Sequence, residues 1–170
     1  MSAIGNALPE ILDITAGYRK MWRGKTQNVL FLDIRKEVKP DIVASNEHLP
    51  FKDNCFIKVV YDPPHCVRKT TFPKPFPREA EGIKRYMYWK RRIDFIKNII
   101  AVNKEAYRVL KPDGVLFCKH TPLKENRISA HMFISLLDNF KVIRIRKEKS
   151  KSHRTKNIVY YITLNKRKDI

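Results

Sequence analysis

Five short apolar segments constrain the fold of this chain more than any other feature of its sequence. Each is a run of a few residues bounded by polar or turn residues, which is typical of buried strands. They cover residues 11–14, 29–33, 41–43, 57–61 and 115–118. A helical pattern precedes the last of them, because apolar residues recur at helical spacing over residues 92–110. Such alternation of strands with a helix predicts an α/β domain with a mostly parallel sheet.

The C-terminal part predicts a second helix and a closing hairpin. The run of Lys, Pro, Asp and Gly at 111–114 ends the first helix, and residues 129–139 place apolar side chains on one helical face. Two β-rich segments, 142–145 and 158–164, flank a basic stretch at 147–156 that we interpret as a solvated hairpin loop. A final hairpin would add an antiparallel edge to the sheet.

The connectors between the second, third and fourth strands are unusually short. They span residues 34–40 and 45–54, whereas a parallel crossover usually needs a dozen or more residues. We therefore expect a domain trimmed of some helices. No repeat, low-complexity tract or linker divides the sequence, so residues 1–170 are interpreted as a single domain.

The net charge of +19, from 36 Lys and Arg against 17 Asp and Glu, favours a polyanionic partner. A Lys-rich proteome or a charged surface that maintains solubility would explain the same excess. No apolar run is long enough to span a membrane, no signal peptide is recognisable at the N-terminus, and no basic amphipathic helix points to a membrane surface. Together with three sparse cysteines, these features predict a cytoplasmic protein with reduced thiols.

Three of the predicted strands end at an acidic residue: Asp13, Asp33 and Asp62. Ligands of open α/β sheets bind beyond the carboxyl ends of the parallel strands. Ala16 and Gly17 follow Asp13 and would let a ligand approach the backbone closely. Asp33 is placed to accept hydrogen bonds from ribose hydroxyls, and the polar segment 45–51 offers amide, hydroxyl and apolar groups to an adenine ring.

The fourth strand is followed by Asp62, Pro63, Pro64 and His65. Two prolines fix the backbone and remove two N–H donors, so this loop presents acceptors. An amino group has two hydrogens to donate, one to Asp62 and one to the carbonyl of Pro63. Accepting both would turn the nitrogen lone pair out of conjugation and toward an electrophilic methyl group, while His65 stacks on the base. An ordinary rigid turn is the alternative for the tetrad alone, but its place after a strand favours the chemical interpretation.

On these residues the chain resembles class I S-adenosylmethionine-dependent methyltransferases of the amino-methylating group, whose hallmark is (D/N/S)-P-P-(Y/F/W/H) after the fourth strand. Within that group it is similar to small stand-alone DNA methyltransferase-like proteins of phages and prokaryotes. The segments that carry the resemblance are 11–17, 31–35, 49–54, 62–65 and 108–114. The resemblance implies a Rossmann-like, mostly parallel seven-stranded sheet with an antiparallel C-terminal hairpin.

The resemblance also implies S-adenosylmethionine as the methyl donor. Asp13, Ala16 and Gly17 match the motif for the methionine part, and Asp33 matches the ribose-binding acid. Ser45 stands where many relatives carry an Asp that touches the adenine amino group, and Asn46 beside it is its substitute. The complete predicted cofactor site consists of Asp13, Thr15, Ala16, Gly17, Asp33, Ile34, Ser45, Asn46, Leu49 and Asp62.

The long segment 66–92 interleaves cations with aromatic residues, which suits phosphates and unstacked bases. We interpret it as an insertion on the substrate side, although a solvated loop whose aromatics pack on the domain is the alternative. The candidate substrate contacts are Arg68, Lys69, Tyr86, Tyr88, Trp89 and Arg91. A base in duplex DNA would have to be flipped out to reach the tetrad.

The predicted partner is a nucleic acid, DNA in preference to RNA, with an amino group of adenine or cytosine as the target. Two alternatives stay open: a methyltransferase acting on tRNA or rRNA, and a non-catalytic nucleic-acid-binding protein on a methyltransferase fold. No separate recognition domain is visible, so either specificity is low, or a partner subunit, a second copy of the chain or the 66–92 segment supplies it. No zinc-ligand spacing is present, so no metal site is predicted.

Overall fold

The computed structural model describes residues 9–24, 26–67, 88–150 and 157–167. Within them, seven strands form one sheet in the order β3-β2-β1-β4-β5-β7-β6. The strands are β1 (Ile11–Asp13), β2 (Val29–Asp33), β3 (Ile42–Val43), β4 (Phe56–Tyr61), β5 (Leu110–His120), β6 (Phe140–Lys149) and β7 (Ile158–Lys166). The first five are parallel, and β7 pairs antiparallel with both β5 and β6. The predicted mostly parallel sheet with an antiparallel C-terminal hairpin is confirmed.

Two α-helices accompany the sheet in the described part of the chain: α1 (Arg92–Val109) and α2 (Ala130–Ser135). The buried side of α1 packs Phe95, Ile99 and Val102 into the main hydrophobic core. Asp94 accepts a hydrogen bond from the backbone N–H of Arg91, which caps the start of α1. No described helix combines the length and apolarity that crossing a bilayer requires.

Three elements differ in length from the sequence prediction. α2 stops at Ser135 rather than 139, because Asn103 of α1 hydrogen-bonds Asp138 and the backbone of Asn139 and holds them in a turn. β5 begins at Leu110 and absorbs residues 111–114 as an irregularity in its pairing with β4. β6 runs on to Lys149, so the hairpin connection is shorter than the predicted 147–156.

The connectors between β2 and β3 and between β3 and β4 are short, as expected from the sequence. A single 3-10 turn (Lys36–Val38) lies between β2 and β3, and the described residues between β1 and β2 form turns. From this β1–β2 connector, Trp22 packs edge-on against Phe31 of β2, with ring centroids 5.8 Å apart. It thereby closes a small second core over β1 and β2.

Alternation along the strands gives the sheet two unlike faces. The covered face carries fully buried apolar side chains such as Val59, Leu116 and Ile162 under the helices. We call the opposite side of β4, β5, β7 and β6 the open face. Among its partly or fully exposed side chains are those of Lys58, Phe117, Lys119, Tyr161, Arg146 and Glu148.

Candidate active site

A cleft of about 460 Å³ lies at the carboxyl ends of the parallel strands. It gathers the loops that follow β1, β2, β3 and β4, which is where open α/β sheets bind ligands. Its volume lies in the range of pockets that hold cofactors and small molecules. The lining includes the predicted Asp13, Thr15, Ala16, Gly17, Asp33, Ile34, Ser45, Asn46, Asp62, Pro63, Pro64, His65, Tyr88 and Trp89.

Asp13 is almost completely buried and holds the first loop in shape. One carboxylate oxygen accepts the backbone N–H of Thr15 at 3.0 Å and the other accepts the indole N–H of Trp22 at 2.7 Å. Burial raises the pKa of Asp13 to about 6, against the opposing effect of these two hydrogen bonds. Asp62 and Asp33 add to the rise because they are nearby negative charges. The carboxylate therefore has a structural function in this loop, whether or not a ligand is bound.

Asp33 is held by Arg35 and by the first loop. Its Oδ1 accepts from the backbone and Nε of Arg35, and its Oδ2 accepts from Nη2 of Arg35 and from the N–H of Gly17, all within 3.0 Å. Burial disfavours the charged carboxylate, but these four donors hold its pKa below the usual range. Since a carboxylate has about four acceptor positions, a ribose at Asp33 would have to displace Arg35 from some of them.

Arg35 leaves one donor on the cleft. Its Nη1 is buried and makes no hydrogen bond with the described residues. A buried donor without an acceptor is costly, so the site has a place for an acceptor atom of a ligand. Gly17 beside it has φ +50°, a left-handed backbone that favours glycine, and its backbone borders the cleft without a side chain.

The loop after β3 is positioned by Asn98 of α1. The side-chain amide of Asn98 donates to Asn46 Oδ1 and to Glu47 Oε1, both at 2.8 Å, and its oxygen accepts the hydroxyl of Tyr61 at 2.6 Å. This network runs from the core to the cleft and presents Asn46 and Glu47 side by side. Leu49, predicted as a cofactor contact, lies in the core instead and does not line the cleft.

The placement of Leu49 follows from the way its loop is fastened to α1. Its backbone N–H donates to Glu105 at 2.7 Å, and its carbonyl accepts from Arg108 at 3.0 Å. Arg108 also binds the carbonyl of Phe51. With the backbone fixed at three points, the Leu49 side chain turns inward.

Asp62 lies at the centre of the cleft and is held from two sides. Its backbone N–H donates to the hydroxyl of Thr15 at 2.7 Å, and its Oδ2 accepts from Nζ of Lys119 at 2.8 Å. Burial alone would favour the neutral acid, but His65 and Lys119 hold its pKa below the usual range. Asp62 is therefore a carboxylate at neutral pH and can act as an acceptor.

His65 completes the electrostatic setting of Asp62. The N–H of Thr121 donates to His65 Nδ1 at 3.4 Å, which places the imidazole proton of the neutral ring on Nε2. Nε2 is 3.3 Å from Asp62 Oδ1, outside good hydrogen-bond alignment, so this contact is mainly electrostatic. Oδ1 is consequently the less engaged oxygen of Asp62.

The carbonyls of the tetrad are not equivalent. Trp89 Nε1 donates to the carbonyl of Pro64 at 2.7 Å, and Asn126 Nδ2 donates to that of His65 at 2.9 Å. Among the described residues, none donates to the carbonyl of Pro63. The loop therefore keeps two acceptors next to each other, Asp62 Oδ1 and the Pro63 carbonyl.

The predicted substrate contacts are only partly brought together. Tyr88 and Trp89 line the cleft, but one face of Trp89 stacks on Phe95 with centroids 5.3 Å apart. Arg91 points to solvent and pairs with Asp94 at 2.7 Å, outside the cleft lining. Arg68, Lys69 and Tyr86 lie outside the described residues.

Sequence reasoning missed Lys119 and Asn98, and it included Glu47 only as part of the segment 45–51. Lys119 was overlooked because we expected the fifth strand to end at 118, although the alternation of Phe117 and Lys119 against the buried Cys118 continues to 120. Asn98 stands out in the sequence as a polar residue on the apolar side of the first helix. The described residues contain no group of three or more potential metal ligands.

No family model and no curated protein sequence matches the chain. Several solved structures, in contrast, are similar to the chain. A SAM-dependent methyltransferase from Methanosarcina mazei has a TM-score of 0.63 and 18% identity, with 96% of each chain covered. N-methyltransferase NodS from Bradyrhizobium japonicum WM9, in complex with S-adenosyl-l-homocysteine, has a TM-score of 0.61 and 7% identity over 93% of this chain and 78% of that one.

A third similar structure is the 16S rRNA (adenine(1408)-N(1))-methyltransferase from Catenulisporales acidiphilia. Its TM-score is 0.57 and its identity 13%, over 94% of this chain and 86% of that one. Likeness at such low identity concerns the arrangement of strands and helices. The chain therefore has the Rossmann-like fold of S-adenosylmethionine-dependent methyltransferases.

Proposed function

We propose that the protein transfers a methyl group from S-adenosylmethionine to an exocyclic amino group of a nucleic-acid base, in DNA rather than RNA. The observation that carries the proposal is a pair of adjacent acceptors in a cleft at the carboxyl ends of the strands. Asp62 Oδ1 has only the 3.3 Å contact with His65 Nε2, and the Pro63 carbonyl has no donor among the described residues. An amino group is the chemical group that donates two hydrogens from one nitrogen.

The first half of the cleft suits the cofactor. Gly17 gives close access to the backbone, Asn46 and Glu47 offer polar groups to an adenine edge, and Arg35 Nη1 offers a free donor. When bound, S-adenosylmethionine would supply an electrophilic methyl group on a sulfonium. Asp33 is the residue proposed to hold the ribose once Arg35 yields part of its bonding to that carboxylate.

The second half would orient the amino group. Asp62 Oδ1 accepts one hydrogen and the Pro63 carbonyl the other, which directs the nitrogen lone pair away from the ring. Thr15 holds the backbone of Asp62 and Lys119 keeps its carboxylate from rotating. Trp89 and Asn126 hold the carbonyls of Pro64 and His65. Preorganised acceptors of this kind lower a barrier because they need no reorientation during the reaction. His65, on the cleft wall, is placed to contact the base plane.

The net charge of +19 supports a polyanionic substrate. The likeness to an rRNA methyltransferase favours a second candidate, an RNA base as the target. The saturation of Asp33 by Arg35 favours a third, a nucleic-acid-binding protein without cofactor.

Calorimetric titration with S-adenosylmethionine and S-adenosylhomocysteine tests the cofactor first. We expect saturable binding, and its absence at millimolar concentrations would exclude the enzymatic proposals. Asp33→Ala is the informative variant, because it removes the proposed ribose acceptor and should weaken cofactor binding if that acid holds the ribose.

Labelled methyl transfer then separates the substrates. The protein is incubated with labelled cofactor and with DNA and RNA pools in separate reactions, and the modified nucleoside is identified by mass spectrometry. Label on an amino nitrogen of a DNA base supports the proposal, label in RNA alone supports the second candidate, and label on carbon or oxygen contradicts the role given to Asp62 and Pro63.

A further inference from the structure

The sheet has a second concave surface, separate from the cleft but continuous with it. A trough of about 880 Å³ lies on the open face, between the β1–β2 connector and the C-terminal hairpin. The two cavities share Lys20, Met21, Asp62 and Lys119 on their linings. A chain lying in the trough would therefore reach Asp62 directly.

The charge of the trough is strongly one-sided. Six cationic side chains line it, against two carboxylates, a net excess of four positive charges. Both carboxylates are already paired, Asp62 with Lys119 at 2.8 Å and Glu148 with Arg146 at 2.9 Å. The cations are Lys20, Arg23, Lys58, Lys119, Arg146 and Lys149.

Aromatic rings lie among these cations in register. Lys119 of β5, Tyr161 of β7 and Arg146 of β6 pair across the strands in one row that begins beside Asp62. Phe117 lies next to this row, with its ring centroid 6.3 Å from that of Tyr161. The guanidinium of Arg146 lies 4.6 Å above Tyr161 and Nζ of Lys58 lies 5.2 Å above Phe117.

This combination fits one class of partner. Unpaired bases stack on aromatic rings and on guanidinium planes, while cations beside them hold the phosphates. The four strands span about 15 Å at ~4.8 Å spacing, enough for a few stacked nucleotides. A rigid duplex keeps its bases stacked inside and would use only the cations.

We propose that the open face binds a single-stranded segment of nucleic acid and delivers its target base to Asp62. The inference rests on the proposed function for the identity of the target, but its surface is distinct from the methyl-transfer residues. Among the described residues, no helix packs over the open face, so the nucleic acid would contact its side chains directly.

Direct binding measurements test the proposal without cofactor. Fluorescence anisotropy is measured with labelled single-stranded DNA and RNA of about 12 nucleotides and with a duplex of the same sequence. Two double variants are compared with the wild type: Phe117→Leu/Tyr161→Leu removes the rings, and Lys58→Gln/Arg146→Gln removes two charges. Lys97→Gln/Lys104→Gln is the matched control, since it removes two exposed charges from α1 on the opposite side.

The ring variant should raise Kd for single strands by about tenfold. The charge variant should flatten the slope of log Kd against log salt by about 1.4, because each phosphate contact contributes ~0.7 for single strands. The α1 control should leave the single-strand affinity at its wild-type value. Thermal unfolding of every variant confirms that the fold persists.

Wild-type affinity in both open-face variants would overturn the proposal, as would tighter binding of the duplex than of the single strand. Competition by inorganic polyphosphate as strong as by the oligonucleotide, with no effect of the ring variant, would overturn it as well. If the protein binds single-stranded nucleic acid through the open face but transfers no methyl group, the result supports this inference and refutes the proposed function. Methyl transfer that is unaffected by the open-face variants supports the proposed function and refutes this inference.

Discussion

Leu116 and Phe117 are neighbours on β5, yet their surroundings are opposite. Leu116 is completely buried on the covered face among helix residues, whereas Phe117 lies on the open face under the ammonium group of Lys58. The same alternation separates Tyr61 from Asp62 and Cys118 from Lys119. One side of the sheet stabilises the domain, and the other is left for contacts with a partner.

This contrast shows how a small domain can keep a surface free for a partner. In the described residues, the helices pack on one side of the sheet, and the β1–β2 connector covers β1 and β2 on the other. The remaining strands keep a charged face without loss of the main core. Asp62 lies at the strand ends, where it lines both the cleft and the trough of the open face.

The largest expected effect is at this meeting point. Asp62→Ala removes the acceptor that orients the amino group, and kcat should fall by at least about 100-fold. Cofactor affinity, measured by calorimetry, should change far less. Asp53→Ala is the control, because Asp53 is an exposed acid outside the cleft. Retained transfer in Asp62→Ala would contradict the role given to the tetrad.

The next effect concerns stability and tests the covered face. Leu116→Ala should lower the free energy of unfolding by about 2–5 kcal/mol, since it removes a fully buried side chain and leaves a cavity. Thr163→Ala, on the open face of the neighbouring β7, should change it by no more than about 1 kcal/mol. Urea unfolding measures both, and equal losses would show that the two faces are equally packed.

A smaller loss links the core to the cleft. Tyr61→Phe leaves the buried oxygen of Asn98 without its hydroxyl donor, which costs roughly 1–3 kcal/mol. Because Asn98 also holds Asn46 and Glu47, cofactor affinity should fall together with stability. Tyr160→Phe is the matched control, as its hydroxyl makes no hydrogen bond with the described residues. A stability loss without any change in cofactor affinity would separate Asn98 from the cofactor site.

The last expected effect is a pH dependence of stability. Burial raises the pKa of Asp13 from 3.8 to about 6, so the folded protein binds this proton more tightly than the unfolded chain. The stability contributed by protonated Asp13 is present below pH 3.8 and is lost as the pH rises through about 6. NMR titration of the carboxyl should give a midpoint near 6, and Asp13→Asn should flatten the stability profile in that window. A midpoint near 3.8 would contradict the rise of the Asp13 pKa by burial.

The positions of the strands along the chain and the strand-end acids could be predicted because they depend on local patterns. Each apolar run is bounded by its own polar residues, and Asp13, Asp33 and Asp62 follow such runs in the sequence. The tetrad is equally local, since its two prolines define the loop.

The contacts that set the chemistry could not be predicted in this way. Lys119 meets Asp62 across 57 positions of sequence, and Asn98 meets Asn46 across 52. These pairs depend on strand register and on the rotation of α1 over the sheet, which local periodicity does not specify. The engagement of Asp33 by Arg35 is close in sequence, but an arginine two residues from an acid gives no sign of which partner it will choose.

The edge strand β6 has a consequence for the behaviour of the protein in solution. It ends the sheet, exposes Ile143 and Ile145, and has five lysines and arginines among its ten residues. An exposed edge strand with isoleucines is a template for the addition of another strand. Two copies that met there would bring their cations together, so electrostatic repulsion protects the edge at low salt. The same charge that would attract a nucleic acid thus also acts as a gatekeeper against aggregation, and the tendency to aggregate should rise with ionic strength.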